Sequence, residues 1–127
     1  MATTGAGELE LLKAILRVAE IKNEAETELA LLERINEIDP SDVKSRFSLA
    51  YKHGELGNND LCFYHYSKIP DRERDRTTWN NIGVVRDQLS MAIKSVDAYR
   101  KSEEMSETLA MSNLAIKFLS GGFIVEA

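Results

Sequence analysis

The stretch from Trp79 to Tyr99 restricts the fold of this chain more than any other part of its sequence. Trp79, Ile82 and Gly83 follow one another at helical spacing, and Ser95 and Tyr99 repeat that spacing after a short break. A glycine that faces a small serine on a neighbouring helix lets the two backbones approach closely. We expect large side chains to fill the space on either side, namely Trp79, Ile82, Val96 and Tyr99. The stretch therefore predicts two helices separated by a short turn, with Gly83 and Ser95 as the small residues through which they could pack.

The same stretch resembles the tetratricopeptide repeat (TPR), a unit of about 34 residues with the pattern W-x2-L-G-x2-Y and then A-x3-F, folded as two antiparallel helices. The matching places are occupied by Trp79, Ile82, Gly83, Arg86, Ser95 and Tyr99. Arg86 stands where the pattern has a tyrosine, and Ser95 replaces the small alanine. Each such unit leaves one apolar face that only a neighbouring unit covers, so one unit implies others.

The pattern extends in both directions from this unit. Ala50 and Ala115 occupy the place of Gly83, about one repeat length before and after it. The first hairpin is degenerate, because Leu16 and Glu28 stand where the repeat has small residues. The resemblance is therefore weaker in the first hairpin than in the rest of the chain.

The TPR resemblance implies an all-α fold, a right-handed superhelical stack of helix-turn-helix repeats with about seven helices. The expected divisions are a disordered N-terminus at 1–6, a degenerate TPR-like hairpin at 7–42, TPR units at 43–75 and 76–106, and a truncated unit at 107–127. Residues 103–106 are expected to link two helices. Because the last unit ends in half a hairpin with an apolar segment at 123–125, we interpret the chain as a fragment of a longer bacterial-type or unassigned array, or as one whose end a partner covers.

The composition argues against several classes of function. With a net charge of −5 and a pI of about 5.1, the chain has no basic surplus for nucleic acid or an anionic membrane. No apolar run approaches the ~20 residues of a membrane-spanning helix, and the N-terminus lacks the basic and apolar segments of a signal peptide. The single cysteine, Cys62, cannot form an internal disulfide and fits a reducing, cytoplasmic setting.

The sequence contains no group of residues typical of a catalytic or metal site. His53 stands at the tyrosine place of its repeat, so we interpret it as structural, and we expect His65 at the surface of the return helix. Neither histidine has a metal-ligand spacing to another ligand, and Cys62 replaces a small packing residue. Gly121 and Gly122 lack the Lys-Ser/Thr that follows in a phosphate loop. We therefore predict no enzymatic activity, no cofactor and no metal.

In TPR proteins the first helix of each hairpin lines a concave groove that holds a helical or extended peptide. By motif place, the resemblance assigns these groove residues: Lys13, Arg17, Phe47, Tyr51, Asn80, Asn81, Val84, Asn113 and Ile116. The apolar members would bury partner side chains, and the asparagines would fix the direction of a peptide backbone. Two alternatives remain open. In the first, Asn81 and Asn113 only bind water or join adjacent repeats. In the second, Phe47 and Tyr51 pack beneath the first hairpin.

The function that the resemblance implies is a non-catalytic interaction module that binds a peptide or a partner protein in the groove. The alternative is a homo-oligomerisation or scaffold segment of a larger multidomain protein, assembled through the open C-terminal end or the first hairpin. A third class, an enzyme or an enzyme-fused sensor, depends on a longer natural chain. The repeat fold alone does not name the partner.

Overall fold

The computed structural model describes the backbone of residues 4–121 and the side chains in that range except those at 4, 5, 109, 117, 118, 120 and 121. The α-helices within residues 4–121 are α1 (Thr4–Lys22), α2 (Ala25–Ile38), α3 (Val43–Glu55), α4 (Asn59–Ser67), α5 (Arg76–Gln88) and α6 (Ala92–Gly121). A short 3₁₀ helix, Asp71–Glu73, follows α4. Since residues 4–121 contain no β-strand, the all-α prediction is confirmed for the described part of the chain.

Contacts between residues divide the chain into two compact units. Unit 1, Met1–Glu73, contains α1 to α4, and unit 2, Arg74–Ala127, contains α5 and α6. In each unit, helices that follow one another along the chain pack against each other. This is the arrangement expected of helical hairpins with short connections.

Two residues in the left-handed backbone region mark the turns of unit 1. Asn23 has a φ of 56° just after α1, and Gly57 has a φ of 80° just after α3. Asparagine and glycine adopt this conformation most readily. Beyond Gly57, the amide of Asn58 donates to the carbonyl of His53 at 2.8 Å and so satisfies a carbonyl at the end of α3. The turn residues of the sequence therefore set where both hairpins reverse.

The core of unit 1 lies between α2, α3 and α4. Its most deeply buried apolar side chains are Leu32, Ile35, Leu49, Ala50, Tyr66 and Ile69. A Cβ atom added to Gly54 would lie 3.2 Å from Sγ of Cys62, so α3 and α4 approach closely where a glycine faces a small residue. Packing in this unit thus depends on small side chains at Ala50, Gly54 and Cys62.

Glu28 shows how unit 1 accommodates a residue that departs from the TPR pattern. Its side chain is buried, and Oε1 lies 2.9 Å from Nζ of Lys52 on α3. A buried carboxylate is destabilising unless a partner compensates for the lost hydration. The ion pair with Lys52 is therefore what permits a glutamate in the layer between α2 and α3.

Unit 2 contains the close approach that the sequence predicts. The hydroxyl of Ser95 on α6 donates to the carbonyl of Gly83 on α5 at 2.8 Å, and both residues are buried. A Cβ atom on Gly83 would lie 2.7 Å from the ring of Tyr99. The apolar core around this contact consists of Trp79, Ile82, Val85 and Ala98. The expectation that Val96 fills this space is wrong, because Val96 is half exposed and Ala98 takes the buried place on α6.

The number of helices differs from the prediction of about seven, since residues 4–121 form six α-helices. The expected link at 103–106 is helical, and α6 continues without interruption to Gly121. Neither proline nor glycine occurs between Ala92 and Ser120, and glutamate, methionine, lysine and alanine in this stretch favour helix. Among residues 4–121, no helix is apolar over a length that would let it cross a membrane.

Two of the sequence predictions concern the ends of the chain. Within the segment 1–6, for which the sequence predicts disorder, residues 4–6 belong to α1. The expected return helix at 123–125 lies outside the described residues. The division of the chain into TPR units stays a prediction.

Replacing Gly83 with alanine tests the close approach of α5 and α6. Alanine favours helix by about 1 kcal/mol over glycine, but its Cβ would overlap the Tyr99 ring. We expect Gly83→Ala to lower the free energy of unfolding by about 1–3 kcal/mol, the range for overpacking, in urea unfolding followed by circular dichroism. In a Tyr99→Ala background the same substitution should be neutral or stabilising. Equal destabilisation in both backgrounds would contradict this contact.

Candidate functional site

Three aromatic side chains in unit 1 form a connected series from the core to the surface. Tyr66 of α4 is buried, and its ring meets that of Phe47 on α3 edge to face, with centroids 5.6 Å apart. Phe47 in turn stacks on Tyr51, with centroids 6.4 Å apart and planes 8° apart. Tyr51 leaves 50% of its surface exposed. We call Phe47 and Tyr51 the aromatic surface. The exposure of Tyr51 argues against its packing beneath the first hairpin.

The basic residues predicted on α1 occupy different environments. Nζ of Lys13 lies 3.2 Å from Oδ2 of Asp42, the residue that caps α3 by accepting from the amide and hydroxyl of Ser45. Burial acts to raise the pKa of Asp42, but the hydrogen bonds from Ser45 and the ion pair with Lys13 outweigh it and lower that pKa. Arg17 is exposed. Lys13 therefore joins α1 to the start of α3, while Arg17 faces solvent.

The groove residues predicted on α5 lie on one region of that helix. Asn80 and Val84 are one helical turn apart and exposed, and Asn81 beside them is partly buried. The helix is started by Asp75, which accepts at 2.8 Å from both the amide and the hydroxyl of Thr78. We call Asn80, Asn81 and Val84 the asparagine surface.

The last two predicted groove residues do not lie on a separate helix. Asn113 and Ile116 are exposed in the second half of α6, the helix that also carries Ser95 and Tyr99. The sequence suggested a new hairpin there because Asn113 precedes Ala115 as Asn81 precedes its own small neighbour. The structure therefore assembles Phe47 with Tyr51 and Asn80 with Val84, and it leaves Asn113 and Ile116 on a different element.

A stacked pair of histidines lies in the core of unit 1. The sequence did not predict this pair. The rings of His53 and His65 are 5.6 Å apart and nearly parallel, and both side chains are buried. The expectation of a surface position for His65 is wrong. The helical spacing of Cys62, His65 and Ile69, all buried, is the signal that could have placed it on the inner face of α4.

Arg46 determines the chemistry of His65. Its guanidinium donates through Nη1 to Nδ1 of His65 at 3.1 Å and through Nη2 to the carbonyl of Pro40 at 3.2 Å. Because a guanidinium can only donate, Nδ1 of His65 must accept, and the imidazole is neutral. Burial, then the charge of Arg46, then His53 lower the pKa of His65 to about 4. Arg46 thus holds a neutral histidine in the core.

The remaining reactive groups of unit 1 are also structural. Cys62 is buried, and burial raises the pKa of its thiol to about 11, so the sulfur stays protonated and poorly nucleophilic. Among the described residues, no group of three or more His, Cys, Asp or Glu side chains is arranged to hold a metal ion. The chemistry available at the surface is therefore that of contact and hydrogen bonding.

His65 should make stability depend on pH. Its pKa of about 4 in the folded chain lies below the ordinary 6.5, so the unfolded chain takes up the proton first. The stability is full above about pH 6.5 and is lost as the pH falls through about 4. We expect the urea midpoint to decrease across this window, and to decrease less in His65→Gln.

The pH dependence due to His65 can be distinguished from that due to two aspartates. Asp42 and Asp75 also have lowered pKa values, but their ordinary value is 3.8, so they act below the window of His65. A decrease of the same size in His65→Gln between pH 6.5 and 4 would show that another group is responsible.

The comparisons with known proteins identify the fold. No protein-family profile matches the chain, and no curated protein matches it. A solved structure described as "MamA MSR-1 C2" matches 79% of this chain and 58% of its own length, with 16% identity and a TM-score of 0.67. Another, "Crystal structure of MamA", matches 81% of this chain and 61% of its own length, with 15% identity and a TM-score of 0.69. MamA is a TPR protein, so the TPR-like fold predicted from the sequence is confirmed.

The similarity is one of fold. This chain spans about three fifths of the length of these two MamA structures. At this level of identity the helical repeat architecture is shared, and the residues of the binding surface are not assigned by it.

Proposed function

We propose that this chain is a non-catalytic protein-interaction module that binds a peptide or a partner protein in the concave groove of its TPR-like fold. The observation that supports this most is the aromatic surface, where the buried Tyr66 holds Phe47 and Phe47 holds the half-exposed Tyr51. Aromatic side chains fixed in this way provide contact area with little loss of side-chain entropy, and they are enriched in binding hot spots.

In unit 1, Tyr51 is the proposed anchor for an apolar side chain of the partner. The ring is already ordered by stacking on Phe47, so its burial removes apolar surface from water without a new ordering penalty. Lys13 and Arg17 on α1 are proposed to lie at the rim, where charged contacts contribute to orientation more than to affinity.

In unit 2, the asparagine surface is proposed to hold the backbone of the partner. An asparagine amide can donate to a carbonyl and accept from an N–H group, which suits an extended peptide. Val84 supplies an apolar contact one turn from Asn80. Asn113 and Ile116 on α6 are proposed as further contact residues.

The proposal includes a cytoplasmic setting and excludes nucleic acid as the partner. A single buried cysteine is compatible with a reducing compartment. The net charge of −5 disfavours binding to a polyanion.

Alanine substitutions test the two surfaces with a peptide selected on the wild-type chain from a phage-displayed library. We expect Tyr51→Ala and Asn81→Ala each to weaken binding by about 1–2 kcal/mol, which is about 5- to 30-fold in Kd. Isothermal titration calorimetry measures the change, and circular dichroism checks that the helices persist.

A matched control is Leu61→Ala, because Leu61 is an exposed apolar residue of α4 outside both surfaces. Its affinity should equal that of the wild type. Unchanged affinity in both Tyr51→Ala and Asn81→Ala would reject the groove assignment.

The second candidate function is homo-oligomerisation, which apolar exposure on α1 favours. Four exposed apolar side chains follow one another at three- or four-residue helical spacing: Leu11, Ile15, Val18 and Ile21. In unit 2, the second half of α6 exposes Met111, Leu114, Ile116 and Leu119. Contiguous apolar surface on a helix is typical of protein contacts, and a second copy of the chain would bury it.

Sedimentation velocity over a range of concentrations tests this candidate. If the chain oligomerises through α1, its mass should rise with concentration, and Ile21→Glu should weaken assembly at least about tenfold, because burial of an isoleucine contributes about 1.5–3 kcal/mol. Ile93→Glu is the matched control, since Ile93 on α6 is 82% exposed, as Ile21 is. A constant monomer mass, or equal effects of both variants, would reject this interface.

A further inference from the structure

A cleft between α2, α3 and α4 of unit 1 is separate from the aromatic surface. Its volume is about 370 Å³, which is at the small end of the usual range for ligand sites of about 300–1,000 Å³. Six of the side chains that line it carry the argument: Glu33, Asn36, Glu37, Arg46, Tyr64 and His65. None of the residues that line it belongs to the groove residues predicted from the sequence.

One face of α2 presents three hydrogen-bond acceptors to this cleft. Glu33, Asn36 and Glu37 are three and four residues apart, so they share one side of the helix. One oxygen of Glu33 faces His53 at 3.4 Å, and one oxygen of Glu37 faces Arg34 at 3.7 Å. A carboxylate accepts through both of its oxygens, so each can take a further donor.

Asn36 indicates that the cleft is built for a donor. Its amide nitrogen donates to the carbonyl of Leu32 at 3.0 Å, which settles the orientation of the amide. The side chain is 6% exposed, and Oδ1 has no hydrogen-bond donor among the described residues. A buried acceptor left without a donor destabilises a protein. An occupant that donates to Oδ1 would remove this destabilisation.

The charge balance of the cleft determines the sign of the occupant. Arg46 is the cation among the residues that line the cleft; its two terminal nitrogens donate to Pro40 and His65, and its buried Nε has no acceptor among the described residues. His65 is neutral, because its Nδ1 accepts from Arg46. Among the residues that line the cleft, Glu33 and Glu37 carry two negative charges against the single positive charge of Arg46. Arg34 lies 3.7 Å from Glu37 but forms its shorter ion pair, at 3.0 Å, with Glu8, so the lining favours a cation.

We propose that this cleft binds the ammonium group of a lysine side chain from a partner protein. An ammonium has three N–H donors, two for the carboxylates of Glu33 and Glu37 and one for Oδ1 of Asn36, an atom that is closed to solvent and that binding must uncover. The methylene stem of the lysine would lie against the ring of Tyr64. Nζ of Lys68 lies over that ring, 5.2 Å from its centroid. A metal ion is a poorer occupant, since the described residues contain no cluster of three or more His, Cys, Asp or Glu ligands.

The proposal rests on the proposed function only for the source of the lysine. The cleft itself can be tested without any partner, so failure here leaves the groove assignment intact, and failure of the groove leaves the cleft intact.

Titration with Nα-acetyl-lysinamide, followed by ¹H–¹⁵N NMR at neutral pH and low salt, tests the cleft. We expect shifts at the side-chain amide of Asn36 and at the backbone amides around Glu33 and Glu37. Nα,Nε-diacetyl-lysinamide has the same stem without the charge, and it should bind at least about tenfold more weakly, as expected for loss of a charge-assisted hydrogen bond.

The double variant Glu33→Gln/Glu37→Gln keeps the shape of the cleft and removes its negative charge. It should weaken binding of the charged probe about five- to tenfold, whereas Glu26→Gln, an exposed carboxylate of the same helix, should not. Three results would overturn the proposal: equal binding of both probes, shifts confined to other residues, or acetate binding at these residues more tightly than the charged probe. The probe comparison needs only the wild-type chain, so it stands even if the double variant does not fold.

Discussion

The hydrogen bond from Ser95 to the carbonyl of Gly83 requires that two helix backbones approach more closely than most side chains allow. A glycine on α5 and a short hydroxyl side chain on α6 meet this requirement together, and the ring of Tyr99 then covers the glycine. Trp79 and Ile82 pack beside this contact because the short distance leaves them no water-filled space. The orientation of α5, and with it of the asparagine surface, follows from this contact.

The helices of unit 1 also approach closely, but the core of this unit contains more polar side chains. Gly54 and Cys62 provide the close approach of α3 and α4, while Glu28 is buried against Lys52. Arg46 donates through its two terminal nitrogens to Pro40 and His65, while its buried Nε has no acceptor among the described residues. Glu28 and the terminal nitrogens of Arg46 thus each have a partner, as buried polar groups require. The aromatic surface depends on this core, because Tyr66 is fixed within it and supports Phe47.

The polar core and the exposed surfaces have different consequences for function. Tyr51 offers aromatic area that a partner can bury, whereas the cleft beside Asn36 offers acceptors and negative charge. A partner that uses both would combine apolar burial, which supplies affinity, with a charged contact, which supplies selectivity. The MamA structures share the fold but are longer than this chain, and they carry no information on which of these surfaces is used.

The sequence by itself determined the helical class and the close approach at Gly83, because both depend on local spacing and on residue size. Only the tertiary structure decided the rest. Residues 103–106 are as compatible with helix as with a link, so the continuity of α6 was open from local sequence. His65, Asn36 and Arg46 are distant in sequence, and their burial in one cleft arises from how α2, α3 and α4 pack, a relation that no local pattern contains.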